Sequence, residues 1–313
     1  MNLAINLKGV SKVYPGVTAL DNIDLQVRKG TVHGFIGPNG AGKSTTMKII
    51  AGLIPATSGL VEVDGQDVSK NGAFVSTKIG LLPEQPPLYN GMKVGDYLEF
   101  CQAINWDPSE AKGDRKDLME NILTRCKLQE VKNRLIGNLS KGFKQRVAMA
   151  QALVYGADII ILDEPTIGLD PNAIADVRQL IEELKKEHTI LLSTHQLHEV
   201  ARICDEITII DQGKILRTGP LVTIQSEFST FKTYEAVVRS VGEDLKKELL
   251  AKDYIQGFDI LEHSEGSLLR IRIQGQEDYR SSLSELIATR GNLLEFRERK
   301  MELEEVFREI VRD

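Results

Sequence analysis

The sequence predicts a two-part α/β protein, in which a parallel sheet covered by helices is followed by a smaller α+β unit. Three stretches, at 32–37, 158–165 and 188–195, are short, rich in β-branched residues and almost continuously apolar, and a helical pattern follows each. Such strands are typical of parallel sheets that are buried on both faces. After residue 220 the strands and helices alternate differently, which indicates a second domain.

Three further features complete the first domain, which is predicted over residues 1–222. Near the N-terminus, LAINLKGVSKVY and ALDNIDLQVRKG alternate regularly and predict an antiparallel β lobe. EITIID at 206–211 predicts another strand of the main sheet. Residues from about 91 to 155 are largely helical and interrupt the series of strands, which predicts an inserted helical lobe.

The second domain is predicted over residues 223–313. FKTYEAVVRS, IQGFDILEH, SLLRIRIQ and NLLEFRER predict strands, and GEDLKKELLA and DYRSSLSELIAT predict helices between them. The resulting order βαββαβ is typical of a small ferredoxin-like domain. MELEEVFREIV predicts a closing helix with Leu303, Val306, Phe307 and Ile310 on one face.

Composition and charge narrow the class of protein. The chain has 313 residues, 42% of them hydrophobic, and a formal net charge of -6, so it lacks a general attraction to nucleic acid and no nucleic-acid partner is expected. Cys101, Cys126 and Cys204 are scattered, which is typical of free thiols in a reducing cytoplasm. The sequence shows neither a secretory start nor a run of roughly 18 apolar residues, so we expect any membrane role to depend on a partner.

The strongest chemical signal is GPNGAGKST, which lies between a predicted strand and a predicted helix and matches G-x-x-x-x-G-K-[ST]. Glycines let backbone N–H groups turn toward phosphate oxygens, and the helix start adds its dipole. We expect Lys43 to reach the β and γ phosphates and Ser44 to hold Mg²⁺. The predicted nucleotide-binding loop comprises Gly37, Pro38, Asn39, Gly40, Ala41, Gly42, Lys43, Ser44 and Thr45.

Other side chains complete a predicted hydrolytic site. In DIIILDEP, Asp163 is expected to face the metal and Glu164 a water, because successive strand residues point in opposite directions. His195 ends HTILLSTH and can reach the γ-phosphate if that strand lies beside DIIILDEP. Gln85, in LLPEQPPLY, is either a solvated loop residue or a ligand of Mg²⁺ or its water.

A second candidate anion site begins with LSKGFKQR. Ser140 lies where a helix N-cap belongs, and Gly142 allows close approach of the backbone. This turn is either an ordinary cap or a second helix tip that binds phosphate. A chain with two phosphate-binding helix tips has one more than a single nucleotide needs, which suggests a site shared across a dimer. Tyr14 either stacks on a base or packs at a strand end.

The first roughly 220 residues resemble the ATP-binding subunit of an ABC transporter. GPNGAGKST, LLPEQ, LSKGFKQR, IIILDEPTIGLD and STH occur in the family's order and spacing. The resemblance implies a P-loop NTPase cassette in which Tyr14 stacks on adenine and Gln85 couples to the transmembrane partner. It also implies that Asp170 lies at the dimer interface, while Ser140 and Gly142 contact ATP held by the other subunit.

Two residues depart from the family's common LSGGQ signature. Lys141 either adds positive charge near the γ-phosphate at the dimer interface or points to solvent, and Phe143 is expected to pack against the helical lobe. Residues 223–313 are similar to the C-terminal extension of drug-resistance and gliding-motility exporters. The resemblance implies either a regulatory or dimer-contacting role for this extension or a purely stabilising one.

The sequence therefore predicts a cytoplasmic Mg-ATPase subunit. We expect it to form a homodimer around two ATP molecules and to drive a separate transmembrane permease at the inner face of the cell membrane, with export as the direction that the resemblance implies. The alternatives are a soluble ABC-type ATPase and a non-hydrolysing, ATP-sensing subunit. Lys43, Asp163, Glu164 and His195 are all present, which argues against the non-hydrolysing alternative.

Overall fold

The chain consists of two units. The computed structural model describes residues 2–105, 114–228, 231–275 and 277–299, together with Phe307 and Ile310. The chain divides into Met1–Leu221 and Val222–Asp313, next to the boundary that the sequence predicts. Among the described residues, no helix is both long enough and apolar enough to cross a lipid bilayer.

The strands of the first unit form two sheets. These strands are β1 (Leu3–Tyr14), β2 (Val17–Arg28), β3 (Val32–Ile36), β4 (Ser58–Val63), β5 (Gln66–Asp67), β6 (Ile79–Leu82), β7 (Ile159–Asp163), β8 (Thr189–Thr194), β9 (Glu206–Asp211) and β10 (Lys214–Pro220). One sheet is antiparallel, with the order β2-β1-β4-β5. The other has the order β10-β9-β3-β8-β7-β6 and is parallel apart from the pairing of β10 with β9. The predicted mixed core and antiparallel lobe are thus confirmed.

Helices pack on both faces of the main sheet. The helices of the first unit are α1 (Lys43–Ile50), α2 (Gly72–Lys78), α3 (Val94–Asn105), α4 (Arg115–Arg125), α5 (Lys141–Leu153), α6 (Pro171–Leu184) and α7 (Leu197–Ile203), and α8 (Leu221–Phe228) begins at the last residue of this unit and continues into the second. Along β7 the side chains alternate between two cores. Ile159 and Ile161 join the core shared with the antiparallel lobe, whereas Ile160 and Leu162 join the core shared with the helical lobe. Every residue of β3, β7 and β8 is buried, as their apolar sequences predict.

The helical lobe is formed by α3, α4 and α5, within the predicted range of about 91–155. Leu98, Leu123 and Val147, one from each helix, are fully buried in a common core. Residues 106–113 of the predicted lobe lie outside the described residues. The lobe is therefore continuous with the sheet that carries the glycine-rich loop, because the same core contains Ile160 and Leu162 of β7.

The second unit is a four-stranded antiparallel sheet with helices. Its elements are β11 (Phe231–Val238), α9 (Glu243–Leu250), β12 (Ile255–His263), β13 (Gly266–Gln274), α10 (Arg280–Gly291) and β14 (Leu293–Arg299). Their order is the predicted βαββαβ, and the strand order in the sheet is β12-β13-β11-β14. Leu245 of α9 and Ile287 of α10 pack with Tyr234 and Ile271 of the sheet. The predicted closing helix falls mostly outside the described residues.

We predict that Gly80→Ala destabilises the first unit. A Cβ on Gly80 of β6 would lie 1.9 Å from the carbonyl oxygen of Ala152 in α5, so only glycine allows this contact between helix and sheet. Overpacking of this kind costs about 1–3 kcal/mol, which should appear as a lower midpoint of urea unfolding. Gly72→Ala is the control, because nothing lies within 4 Å of its added Cβ. Equal midpoints for the two variants would contradict the close contact.

Candidate functional site

The glycine-rich loop joins the end of β3 to the start of α1. Gly40 and Gly42 have φ angles of +82° and +107°, which glycine adopts without strain. A Cβ on Gly37 would lie 2.2 Å from the Ile210 carbonyl oxygen, and one on Gly42 would lie 2.8 Å from the carbonyl oxygen of Ala19. The glycines therefore serve both the turn itself and its close packing against the neighbouring backbone.

Lys43 begins α1 and is only 6% exposed. Its ammonium group donates hydrogen bonds to the carbonyl oxygens of Gly37, at 2.7 Å, and Pro38, at 3.0 Å. The same nitrogen lies 3.9 Å from Oε1 of Glu164. The side chain thus bridges the loop and places its charge beside the carboxylate that follows β7.

Burial has the largest effect on the ionisation of Lys43. It lowers the pKa of Lys43, and the negative charges of Glu164, Asp163 and Glu84 oppose this effect only in part. Three carboxylates therefore act electrostatically on one ammonium group near the carboxyl edge of the sheet. Such a concentration of ionisable groups is typical of functional sites.

Glu164 and His195 meet because β7 and β8 are parallel neighbours, as the prediction for His195 required. Glu164 is 6% exposed and has a φ of +50°, and its N–H donates to the carbonyl oxygen of Ser193 at 3.1 Å. Nδ1 of His195 lies 2.8 Å from Oε2 of Glu164, and 43% of the His195 side chain is exposed. The imidazole therefore orients the buried carboxylate and leaves Oε1 on the side of Lys43.

Asp163 ends β7 and is buried. Its Oδ1 accepts a hydrogen bond from the hydroxyl of Ser193, and the same hydroxyl oxygen accepts one from the N–H of Glu164 at 3.1 Å. Ser193 therefore links the carboxylate of Asp163, predicted to face the metal, to the backbone of Glu164, predicted to face the water.

A cavity of about 440 Å³, which we call the loop cavity, opens over these groups. Its wall includes most of the predicted loop together with both predicted partners, namely Asn39, Gly40, Gly42, Lys43, Ser44, Thr45, Glu164 and His195. Gly37, Pro38 and Ala41 shape the loop behind this wall. Of the other described residues predicted for nucleotide or metal, Tyr14, Gln85 and Asp163 are not part of the wall.

Sequence reasoning missed several residues of the loop cavity. Val17, Thr18 and Ala19 enter from β2 of the other sheet, which no local pattern indicates, and Ile167 follows Glu164. Glu84 lines the cavity, whereas its neighbour Gln85, predicted for this position, does not. The signal that was available for Glu84 is its place just beyond β6, since Glu164 lies just beyond the neighbouring strand β7.

Tyr14, predicted to stack on a base or pack at a strand end, lies at the exposed end of β1. The residue is 39% exposed, and the ammonium group of Lys12 lies 5.1 Å from the ring centre. Both alternatives for Tyr14 therefore stay open in the isolated chain.

The second predicted anion site lies at the tip of α5, and the start of α6 lies beside this tip. Ser140 caps α5 and accepts a hydrogen bond from the N–H of Phe143 at 3.4 Å, and Asp170 caps α6. A Cβ on Gly142 would lie 3.3 Å from Cβ of Ala173, and Lys141 is exposed. Phe143 packs against the core that contains the helical lobe. The tip thus lies apart from the wall of the loop cavity.

Comparisons with known proteins agree with this geometry. The family model described as ABC transporter matches residues 20–167. The bacitracin transport ATP-binding protein BcrA of Bacillus licheniformis is 30% identical over 293 residues, which cover 93% of this chain and 91% of that protein. The lantibiotic transport ATP-binding protein SrtF of Streptococcus pyogenes is 36% identical over 213 residues, which cover 68% of this chain and 89% of that protein.

A solved structure is similar to this chain in fold and contains the products of ATP hydrolysis. The ATP-binding cassette MJ0796, solved as a dimer in a post-hydrolysis state with ADP and Pi, is 28% identical to this chain, with a TM-score of 0.63. The match covers 69% of this chain and 98% of that chain. Together with the glycine-rich loop, Lys43, Glu164 and His195 on one cavity wall, these similarities establish that the chain belongs to the ABC transporter family, as an ATP-binding subunit that hydrolyses ATP.

Proposed function

We propose that two copies of this chain bind two Mg-ATP molecules between them and that hydrolysis drives a separate transmembrane permease. The observation that carries the proposal is the meeting of Lys43, Glu164 and His195 on the wall of the loop cavity. The relatives named for bacitracin and lantibiotic transport support the transport role, and the dimeric cassette supports the pairing of copies. Export is the direction that the resemblance to drug-resistance exporters favours.

Lys43 is the proposed phosphate-binding cation. The carbonyl oxygens of Gly37 and Pro38 already hold its ammonium group in place, so little reorganisation is needed when the β and γ phosphates arrive. Its positive charge then offsets the negative charge that builds up as the γ-phosphoryl group leaves ADP.

Glu164 is the proposed residue for the attacking water. Its carboxylate orients the water and accepts a proton as the new P–O bond forms. His195 holds Oε2 of that carboxylate, and its half-exposed imidazole edge is proposed to contact the γ-phosphate. The products are ADP and inorganic phosphate.

The chemistry of the available oxygen atoms fits Mg²⁺. The proposed ligands are the hydroxyl of Ser44 and the carboxylate of Asp163, while the amide of Gln85 stays a prediction because it lies off the cavity wall. Among the described residues, there is no cluster of three or more His, Cys, Asp or Glu side chains suited to a metal. Mg²⁺ bound with a nucleotide needs only one or two protein ligands besides phosphate and water. When bound, the ion polarises the phosphate oxygens and offsets their charge.

The tip of α5 is proposed to complete the site of a second copy. Ser140 and Gly142 would contact the phosphates held by the partner's loop, with Lys141 and Asp170 at the interface and Tyr14 against adenine. Two such sites related by a two-fold axis are the usual result of a symmetric pair. The position of the tip away from the loop cavity supports a site that needs both copies.

The remaining proposals concern the location of the protein in the cell and the role of its second unit. We propose that the permease holds this subunit at the cytoplasmic face of the membrane. For Val222–Asp313, a regulatory or dimer-contacting role and a purely stabilising role both remain open. Co-purification of a permease with the chain would exclude the alternative of a soluble ATPase.

We predict that Glu164→Gln binds ATP but hydrolyses it about 10²–10⁴-fold more slowly, because an amide cannot accept the proton from water. ATP-dependent dimers should then accumulate, which size-exclusion chromatography with and without ATP would detect. The control is Glu130→Gln, which removes an exposed carboxylate outside the loop cavity and should hydrolyse ATP normally. Wild-type hydrolysis by Glu164→Gln would refute the role of Glu164.

We also predict that Ser140→Asp weakens ATP-induced pairing. Aspartate is as good an N-cap as serine, so α5 should keep its start, but the new negative charge would face the partner's phosphates. In the Glu164→Gln background, dimerisation measured by analytical ultracentrifugation should require at least about tenfold more protein. Ser140→Asn keeps a neutral cap and should pair normally. Equal pairing of the two variants would show that Ser140 does not face phosphate.

A further inference from the structure

The sheet of the second unit has two edge strands, and only one of them is densely charged. In the strand order β12-β13-β11-β14, β12 and β14 lie at the edges, and within the described residues each pairs with one neighbour only. β14, LLEFRER, has four charged residues among its seven, and charge of this kind discourages another strand from pairing there. β12, IQGFDILEH, contains neither lysine nor proline, the residues with which proteins commonly block an edge.

β12 is long and regular for an edge strand. It has nine residues, and its single irregularity in pairing with β13 lies at its start, between Ile255 and Gly257. Residues 257–263 then pair with β13 without interruption. The other side of this segment therefore presents a regular row of backbone N–H and C=O groups, which is a template for another strand.

Apolar side chains lie in the middle of this edge. Ile260 and Leu261 are each 41% exposed, and as adjacent strand residues they point to opposite faces of the sheet. Water thus reaches an apolar side chain on both faces at the same point of β12. A strand added beside β12 would cover Ile260 and Leu261 together, whereas a ligand bound to one face of the sheet would cover only one of them.

We propose that β12 pairs in antiparallel fashion with β12 of a second copy, so that two four-stranded sheets become one continuous sheet. A second copy suits this edge because identical strands related by a two-fold axis perpendicular to them are antiparallel and present the same surface to each other. The contact involves neither the loop cavity nor the tip of α5. It is therefore a contact between copies in addition to the ATP-dependent pairing proposed above.

Charge selects the register of this strand pair. If the two-fold axis passed between Ile260 and Leu261, Asp259 would face the partner's Glu262, and like charges directly opposite each other destabilise a sheet. If the axis passes through Leu261, that residue faces its own counterpart, and Asp259 faces the partner's His263. The register centred on Leu261 is therefore the favourable one.

The hydrogen bonds already present leave both members of the Asp259–His263 pair able to bond across the axis. Nδ1 of His263 accepts from the N–H of Glu265 at 3.3 Å, so Nε2 carries the proton and can donate it to a carboxylate. Oδ2 of Asp259 accepts from Nη1 of Arg272 at 2.7 Å, which leaves Oδ1 for a second hydrogen bond. Because of the symmetry, this pair occurs twice in the proposed contact.

Analytical ultracentrifugation of the full chain without nucleotide tests the proposal. One strand pair is a small interface, so we expect the wild-type protein to pair at micromolar concentrations. Leu261→Lys should raise the dissociation constant at least about tenfold, because the axis brings two ammonium groups opposite each other. Leu294→Lys is the matched control, since Leu294 is 43% exposed on the other edge strand, and it should pair as the wild type does.

A charge exchange tests the register. His263→Asp places a carboxylate opposite Asp259 at two symmetric positions and should weaken pairing about tenfold. Addition of Asp259→His restores a complementary pair and should restore pairing. Damage to the fold by His263→Asp would not be repaired by a second substitution, so recovery in the double variant reports on the contact itself.

Three results would overturn the proposal. They are a wild-type chain that stays monomeric throughout the micromolar range, equal loss of pairing in Leu261→Lys and Leu294→Lys, and failure of the double variant to regain pairing. Because the measurement contains no nucleotide, its outcome is independent of the proposed function in ATP hydrolysis.

Discussion

The parallel pairing of β3, β7 and β8 determines where the catalytic groups lie. Ile36 is opposite Thr194, and Asp163 is opposite Ser193, so the loop, Glu164 and His195 leave the sheet at one edge. The apolar side chains of these strands are buried on both faces, and each contributes about 1.5–3 kcal/mol to the stability of that arrangement. Burial of the strands therefore fixes the positions of the polar groups that follow them, namely the loop, Glu164 and His195.

Two unfavourable features of the site are compensated locally. A buried ammonium group costs several kcal/mol unless it is paired, and Lys43 is held by two carbonyl oxygens and lies beside Glu164. A φ of +50° strains a residue such as Glu164, and bonds to Ser193 and His195 hold it there. Since the charge is desolvated and the carboxylate is oriented in advance, a phosphate that enters meets groups that need little rearrangement.

The sequence alone predicted those parts of the site whose residues are adjacent in the chain. An apolar strand, a glycine-rich loop and a helix are adjacent in the chain, so GPNGAGKST and its surroundings were predictable. Glu84 was not predicted, because only the register of β6 against β7 brings it to the wall of the cavity, and the role of Gln85 stays a prediction. Val17 comes from another sheet and carries no local signal. The roles of Ser140 and Tyr14 stay predictions, because that of Ser140 requires a second copy and that of Tyr14 requires a bound nucleotide.

The segment from Glu164 to Asp170 connects the chemistry to the proposed interface. Glu164 faces the loop cavity at one end, and Asp170 starts α6 at the other. The N–H of Ile167 bonds to the carbonyl oxygen of Glu164 at 3.2 Å, and a Cβ on Gly168, whose φ is +64°, would lie 2.1 Å from Nζ of Lys141. This turned segment is the direct covalent connection between Glu164 and the start of α6. Pairing of two copies at the proposed interface would therefore act on the peptide that carries Glu164 through the chain itself, and a pathway through the core is not required.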